Sequence, residues 1–188
     1  TVGKIDDDIY EMYIKELSEI PEKLERFLEK EDEIHRTAER IYKRKQVFFI
    51  GRGLDAGVSY EGSLKLKEIS YINSFAIAAG ELKHGTIALM EQDTLVIALD
   101  TQDCLFEKML SNIVETKARG AYVIAVAKEG HRDIEVEADY VIYIPDCRDE
   151  VSPILSVVPL QVFAYYVAKE RGCNIDKPKN LAKSVTVE

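Results

Sequence analysis

The chain has 188 residues, of which 46% are hydrophobic and 31% are charged, and its formal net charge is -9. These values are typical of one globular domain with a sizeable core, and no apolar run reaches the length of a membrane span. The acidic balance argues against a nucleic-acid partner, because a phosphate backbone binds to clustered positive charge.

A helical lead-in is predicted over residues 1–45, where apolar residues recur at helical spacing with Pro21 as a break. Five short apolar runs follow and alternate with helical segments. The runs cover residues 46–50, 74–79, 94–99, 122–127 and 140–144. Continuous apolar strands separated by helices predict a parallel sheet that is covered on both faces. We therefore predict an α/β fold with three layers, α/β/α, around a parallel sheet of about five strands.

The predicted domain spans residues 46–172, and residues 173–188, which have no periodicity, would form a tail. In open sheets of this kind, ligands bind outside the carboxyl ends of the strands. The segments expected there are residues 51–53, 80–85, 100–103 and 146–149.

One helix, in the stretch SYEGSLKLKEISYI at residues 59–72, carries an unusual charged stripe. At about 100° per residue, Glu61, Lys65 and Glu68 share a narrow arc that apolar residues flank on both sides. This arrangement predicts that the charges lie in the middle of the buried side, with Ser63 and Ser70 on the opposite face. A carboxylate held beside an ammonium in a protected site suits proton transfer. The alternative is an ion pair on a solvated face.

Of the three histidines, His84 is the best placed for chemistry, because it stands in the glycine-bounded segment at residues 80–85. His35 and His131 are expected on the solvated surface. No second histidine or cysteine lies at metal-ligand spacing, so we expect no metal. The glycines that follow the first strand depart by one position from a dinucleotide-binding motif, which argues against a dinucleotide cofactor.

The cysteines, Cys104, Cys147 and Cys173, are widely spaced and odd in number, so they indicate no disulfide framework. We expect a reducing, cytoplasmic setting. The chain shows no signal-peptide pattern. It opens with Thr1 rather than methionine, which favours a piece of a longer polypeptide.

Several motifs together resemble a known family. They are GRG at residues 51–53, YEGSLKLKEISYI at 60–72, AAGELKHG at 78–85, VVPLQVFAYYVA at 157–168 and KNLAKSVTVE at 179–188. Taken together, they are similar to the glucosamine-6-phosphate synthases, also called glutamine:fructose-6-phosphate amidotransferases. The match is to the second of two tandem sugar-isomerase (SIS) domains in that family. The resemblance implies that a first SIS domain and a glutaminase domain belong to the complete enzyme.

The resemblance also implies roles for individual residues. Lys183 would form a Schiff base with the C2 carbonyl of fructose 6-phosphate, and Glu68 would move a proton between C1 and C2. Lys65 would assist this transfer. His84 would help to open the sugar ring in the active site of a partner subunit, which implies a homodimer. Glu61 would be a polar neighbour of the substrate and Ala182 a backbone contact to the sugar.

In the family, loops rich in serine and threonine in the first SIS domain hold the sugar phosphate. The corresponding loops here, residues 51–55 and 100–103, are too acidic and too poor in hydroxyls for that task. We therefore expect this chain alone to be weakly active or inactive. We also expect it to use neither a metal nor an organic cofactor. The rival interpretation is a non-catalytic SIS module that binds a sugar phosphate and regulates a partner.

Overall fold

The chain folds around one parallel sheet in a computed structural model that describes residues 5–179. The strands are β1 (Gln46–Gly51), β2 (Asn73–Ala78), β3 (Leu95–Asp100), β4 (Tyr122–Lys128) and β5 (Tyr140–Ile144). The helices are α1 (Asp7–Leu28), α2 (Glu31–Ile41), α3 (Gly53–Ser70), α4 (Phe106–Lys117), α5 (Ile134–Glu137) and α6 (Ser152–Glu170). Short 3-10 helices cover Ala79–His84, Thr86–Leu89 and Asp103–Leu105.

The strand order is β2-β1-β3-β4-β5, and every neighbouring pair is parallel. This arrangement confirms the predicted α/β fold. The chain leaves β1 toward β2 on one side and reaches β3 on the other, so the strand order reverses between β1 and β3. Loops that follow these two strands therefore flank the crevice in which open α/β sheets commonly bind ligands.

The sheet separates two apolar cores, because side chains alternate between its faces along each strand. Phe49 points toward α2, α3 and α6, where it packs with Leu66 and Phe163. Phe48 points the other way, toward α4 and the 3-10 helix Ala79–His84, and packs with Met109. All five of these side chains are at most 1% exposed. The three predicted layers are thus present.

The helical lead-in consists of α1 and α2, and α2 buries Ile34, Ala38 and Ile41. The predicted break at Pro21 is wrong, because α1 continues through this proline to Leu28. Between residues 5 and 179, no helix is both long and apolar enough to cross a membrane. The division into a lead-in, a domain and a tail stays a prediction.

The buried face of α3 differs from the one predicted. Ser63 and Ser70 are at most 3% exposed, whereas the charged stripe lies on the half-buried outer face. The predicted placement of the charges in the middle of the buried side is therefore wrong. Close packing explains the error: a β-carbon at Gly62 would lie 2.5 Å from Leu160 and 3.0 Å from Phe49. Small residues let α3 approach α6 and β1, and a hydrophobicity pattern does not register side-chain size.

Candidate functional site

The three charged residues of the stripe form one group on α3. Lys65 Nζ lies 2.7 Å from Glu68 Oε2 and 3.6 Å from Glu61 Oε1. The side chain of Glu68 is 27% exposed and that of Glu61 is 42% exposed. The hydrogen bond to Glu68 raises the pKa of the Lys65 ammonium, because losing the proton would remove the attraction. The group thus holds two carboxyl groups around one ammonium within reach of solvent.

The carboxy-terminal end of α3 is fixed by contacts with later parts of the chain. Tyr71 ends the helix in a left-handed conformation, with φ of 60°. Arg171, just after α6, donates Nε to the Ser70 carbonyl at 2.9 Å and Nη1 to a carbonyl just past α2 at 2.7 Å. The backbone N–H of Lys179 donates to Tyr71 Oη at 2.6 Å. The last described residue therefore lies beside the end of the helix that carries Glu68.

His84 lies far from this group within the same chain. β2 begins just after α3 ends, and its six residues, which span about 17–20 Å, lead to the 3-10 helix that ends at His84. Glu68 therefore lies near the amino ends of the strands, whereas the exposed His84 lies near their carboxyl ends. One chain does not bring them together. Lys183 and Ala182 lie outside the described residues.

At the carboxyl ends of the strands, where a ligand was expected, the space is filled by the chain's own side chains. Asp55, in the first turn of α3, is 2% exposed. It accepts hydrogen bonds from the Thr101 N–H at 2.8 Å and the Thr101 hydroxyl at 2.6 Å. Thr101 Oγ1 also lies 3.0 Å from Ser152 Oγ at the start of α6. Burial raises the pKa of Asp55, although the bonds from Thr101 oppose the shift.

Gln102 closes the amino-terminal end of α3. Its Oε1 accepts a hydrogen bond from the Leu54 N–H at 3.2 Å, and its Nε2 donates to the Arg52 carbonyl at 2.9 Å. Gly53 has a φ of 52°, and a β-carbon there would lie 2.9 Å from the Gln102 amide. Free backbone N–H groups at helix starts are common binding positions for phosphate. Here a side chain of the same chain occupies that position.

Lys128, at the end of β4, joins the neighbouring loops. Its Nζ is buried and donates to the Cys147 carbonyl at 3.0 Å, to Asp149 Oδ1 at 2.9 Å and to Asp103. Burial opposes the charge of Asp149, but bonds from Lys128 and from the N–H groups of Asp103 and Cys104 outweigh it and lower its pKa to about 2. This network connects the chain after β3, β4 and β5.

Asp100, the last residue of β3, is a buried carboxyl group that is 1% exposed. Its Oδ2 has no hydrogen-bond partner among residues 5–179. Burial, with the nearby charges of Asp55 and Glu107, raises its pKa to about 8. Asp100 therefore keeps its proton at neutral pH.

One group among the described residues could hold a metal ion. Potential ligand atoms of His35, Glu39 and Glu170 all lie within 4.8 Å of one another. The expected solvated position of His35 is wrong, because its ring stacks on Tyr166 at 4.3 Å and its Nε2 lies 3.0 Å from Glu170. These contacts join α2 to α6, so we interpret the group as a packing contact.

Comparison with known proteins places the chain in a family. The model of the SIS domain family matches residues 40–171. The glutamine--fructose-6-phosphate aminotransferase (isomerizing) of Caldanaerobacter subterraneus is 61% identical over 175 residues, which are 93% of this chain and 29% of the relative. The protein of the same name from Clostridium tetani is 50% identical and covers 99% of this chain and 31% of its own length.

A solved structure agrees with these relatives. The C-terminal domain of glucosamine-fructose-6-phosphate aminotransferase from Francisella tularensis has a TM-score of 0.87 at 34% identity, over 92% of this chain and 49% of that chain. The chain spans about 30% of the length of the curated relatives named above. The resemblance described from the motifs is confirmed. The chain belongs to the SIS domain family and matches the C-terminal domain of these aminotransferases.

Proposed function

We propose that this chain is the second SIS domain of a glucosamine-6-phosphate synthase. The complete enzyme would convert fructose 6-phosphate and glutamine-derived ammonia to glucosamine 6-phosphate, by a ketose-aldose isomerisation that passes through a lysine Schiff base. The observation that carries the proposal is the 61% identity, over 93% of the chain, to a protein named for this amino transfer and isomerisation.

In this proposal Glu68 is the base of the isomerisation. It takes a proton from C1 and returns it to C2 after ammonia has replaced the lysine at C2, so one carboxylate over both carbons is sufficient. Lys65, at 2.7 Å from Glu68, stabilises the carboxylate electrostatically. Glu61, the more exposed carboxylate, contacts the substrate. The ready access of this group to solvent is compatible with a substrate that arrives from outside the domain.

Lys183 is the proposed Schiff-base residue, and Ala182 would contact the sugar through its backbone. Four residues of extended chain span at most about 14 Å. Since Lys179 lies against Tyr71, three positions after Glu68, this reach is sufficient for Lys183 to meet a sugar bound at Glu68. The ammonium of Lys65 would favour the neutral, nucleophilic form of a nearby lysine.

His84 would act in the active site of a partner subunit. Its separation from Glu68 within one chain, with β2 between them, supports this assignment. The proposal therefore includes a homodimer, and a first SIS domain that supplies the phosphate contacts. The occupied amino-terminal end of α3, where Gln102 lies, supports a substrate phosphate held elsewhere. We further propose a cytoplasmic enzyme that needs neither a metal nor an organic cofactor.

A chimera tests the proposed function. This chain would replace the matching 29% of the Caldanaerobacter subterraneus relative, and formation of glucosamine 6-phosphate would be measured. Glu68→Gln should lower turnover by about 10²–10⁴-fold, which is the usual contribution of a general base. Glu22→Gln, which removes the same charge from the exposed side of α1, should leave turnover unchanged. Near-normal turnover in the Glu68→Gln chimera would refute the role of Glu68.

The rival function is a sugar-phosphate-binding module without catalysis. A binding module needs no Schiff-base lysine, so trapping distinguishes the two functions. Borohydride reduction of the chimera with fructose 6-phosphate, followed by mass mapping, should find an adduct on Lys183. Absence of the adduct in a chimera that binds the sugar would favour the rival. The 188-residue chain alone should show little or no turnover.

A further inference from the structure

A polar cleft opens at the carboxyl ends of the strands, on the face of the sheet opposite α3. It has a volume of about 390 Å³ and lies between α4 and the 3-10 helix Ala79–His84. This volume falls within the range of small-molecule sites. Its walls include Arg52, Lys83, Lys108, Ser111, Asn112 and Glu115. The proposed catalytic group on α3 lines no part of this cleft.

Arg52 is held in position with most of its donors unused. Its Nε donates to Asn112 Oδ1 at 2.8 Å, and Asn112 is only 5% exposed. One face of the guanidinium lies over Gly80, where a β-carbon would be 3.5 Å from Nη2 and 3.6 Å from Nη1. Within residues 5–179, neither Nη1 nor Nη2 makes a hydrogen bond or an ion pair. A guanidinium that is oriented through Nε and free at both Nη atoms is suited to bind two oxygens of one anion.

The charges around the cleft favour an anion, although the whole chain is acidic. Lys83 Nζ lies 2.7 Å from Glu115 Oε1, so this lysine and this carboxylate neutralise each other. Lys108 makes no hydrogen bond or ion pair with any residue that the structure describes. Among the described residues of the lining, the only other carboxylate is that of Glu107, and it is outnumbered by the two cations, Arg52 and Lys108. The local balance is therefore positive.

We propose that this cleft binds the phosphate group of a small phosphomonoester. Nη1 and Nη2 of Arg52 hold two phosphate oxygens, Lys108 supplies a second positive charge, and the exposed Ser111 hydroxyl donates to a third oxygen. The site is separate from the amino-terminal end of α3 that Gln102 closes, because the Arg52 side chain packs on α4. It also lies at the opposite ends of the strands from Glu68 of the same chain, so its ligand would not contact the charged group on α3.

Nuclear magnetic resonance titration of the 15N-labelled 188-residue chain tests this site. Inorganic phosphate and glucose 6-phosphate would be added in separate experiments at constant ionic strength. Both should shift the backbone amide signals of residues 52–53, 80–83 and 107–112. Tighter binding of the sugar ester would show that the ester is recognised, and equal binding would show that the phosphate group alone is recognised. Either result supports the site.

Variants give the decisive comparison. Arg52→Lys keeps the charge but loses the bidentate contact to the phosphate. Lys108→Gln removes one positive charge. Each substitution should weaken binding by about fivefold to tenfold. Lys15→Gln, which removes one exposed charge from α1, should leave the dissociation constant unchanged. Signal dispersion and the thermal midpoint verify that each variant is folded.

Two outcomes would overturn the proposal. One is equal weakening by Lys108→Gln and Lys15→Gln, since this would mean that only the overall charge matters. The other is the absence of shifts at the cleft, including the case in which shifts occur only at residues 61–71. Shifts confined to residues 61–71 would show that the anion binds at the proposed catalytic group instead. The proposed function is tested separately, by turnover of the chimera, so the cleft can fail while the proposed function holds.

Discussion

The two ends of α3 have opposite characters. At the amino-terminal end, Asp55 is buried and bonded to Thr101, while Gln102 accepts a hydrogen bond from the Leu54 N–H. At the carboxy-terminal end, Lys65 and Glu68 are half-buried and bonded chiefly to each other. Polar groups with buried partners stabilise a fold, whereas charges that remain accessible stabilise it little and stay available to a ligand. The comparison indicates that the amino-terminal end of α3 stabilises the fold, whereas the charged groups at its other end remain accessible to a ligand.

The largest effect on stability is expected from Asp55→Ala. The substitution leaves the buried N–H of Thr101 without its acceptor and should lower the free energy of unfolding by about 3 kcal/mol. Urea denaturation measures this loss. Asp8→Ala, on the exposed first turn of α1, is the control and should cost less than about 0.5 kcal/mol. A loss below about 1 kcal/mol for Asp55→Ala would remove the contrast between the two ends.

A pH-dependent effect is expected at Asp100, beside Asp55. Its pKa of about 8 in the folded chain lies above the usual value of 3.8, so the folded state keeps a proton that the unfolded state releases. Stability should therefore fall as the pH rises from about 4 to about 8. Asp100→Asn removes this titration. The free energy of unfolding of the variant minus that of the wild type should therefore increase by about 2 kcal/mol between pH 6 and pH 8.

Urea denaturation of both proteins at pH 6, 7 and 8 measures the Asp100 effect. Asp8→Asn serves as the matched control, because its side chain is exposed. A difference between Asp100→Asn and wild type that stays constant across these pH values would show that Asp100 is ionised in the folded protein.

A smaller effect is expected from opening the amino-terminal end. Gln102→Ala removes the bonds to Leu54 and Arg52 and should cost about 1 kcal/mol of unfolding free energy. Because the Leu54 N–H would lose its acceptor, its hydrogen exchange should also become faster. Unchanged exchange at Leu54 would mean that Gln102 does not close this end in solution.

The smallest effect on stability is expected at the other end. Glu68→Gln weakens an ion pair that is partly exposed, so the free energy of unfolding should change by less than about 0.5 kcal/mol. Thermal or urea denaturation of the 188-residue chain measures it. A loss above about 1 kcal/mol would show that Glu68 stabilises the fold and would remove the contrast between the two ends of α3.

Much of the fold was predictable because the strands are buried on both faces. The apolar run at residues 140–144 coincides with β5, and the run at 122–127 differs from β4 only by Lys128. Lys128 itself was not predicted to be buried, because its partners Asp103 and Asp149 are distant in the chain. The burial of Asp55 was missed for the same reason, since its partner is 46 positions away.

The stripe on α3 shows a different limit of sequence patterns. Helical spacing correctly grouped Glu61, Lys65 and Glu68 on one face, and the structure brings their charged atoms together. The buried face of α3 was determined by side-chain size, because Gly62 and Ser63 allow α6 and β2 to approach the helix closely. The roles of these residues came from the family resemblance and stay proposals.

The bond between Lys179 and Tyr71 has a consequence for the segment that follows it. It holds Lys179 beside the end of α3 that carries the proposed catalytic group. For a short tether of this kind, the effective concentration of an attached group is in the millimolar range or higher. If residues 180–188 act at Glu68 as proposed, a separate peptide of the same sequence would therefore have to be supplied at about millimolar concentration to take their place.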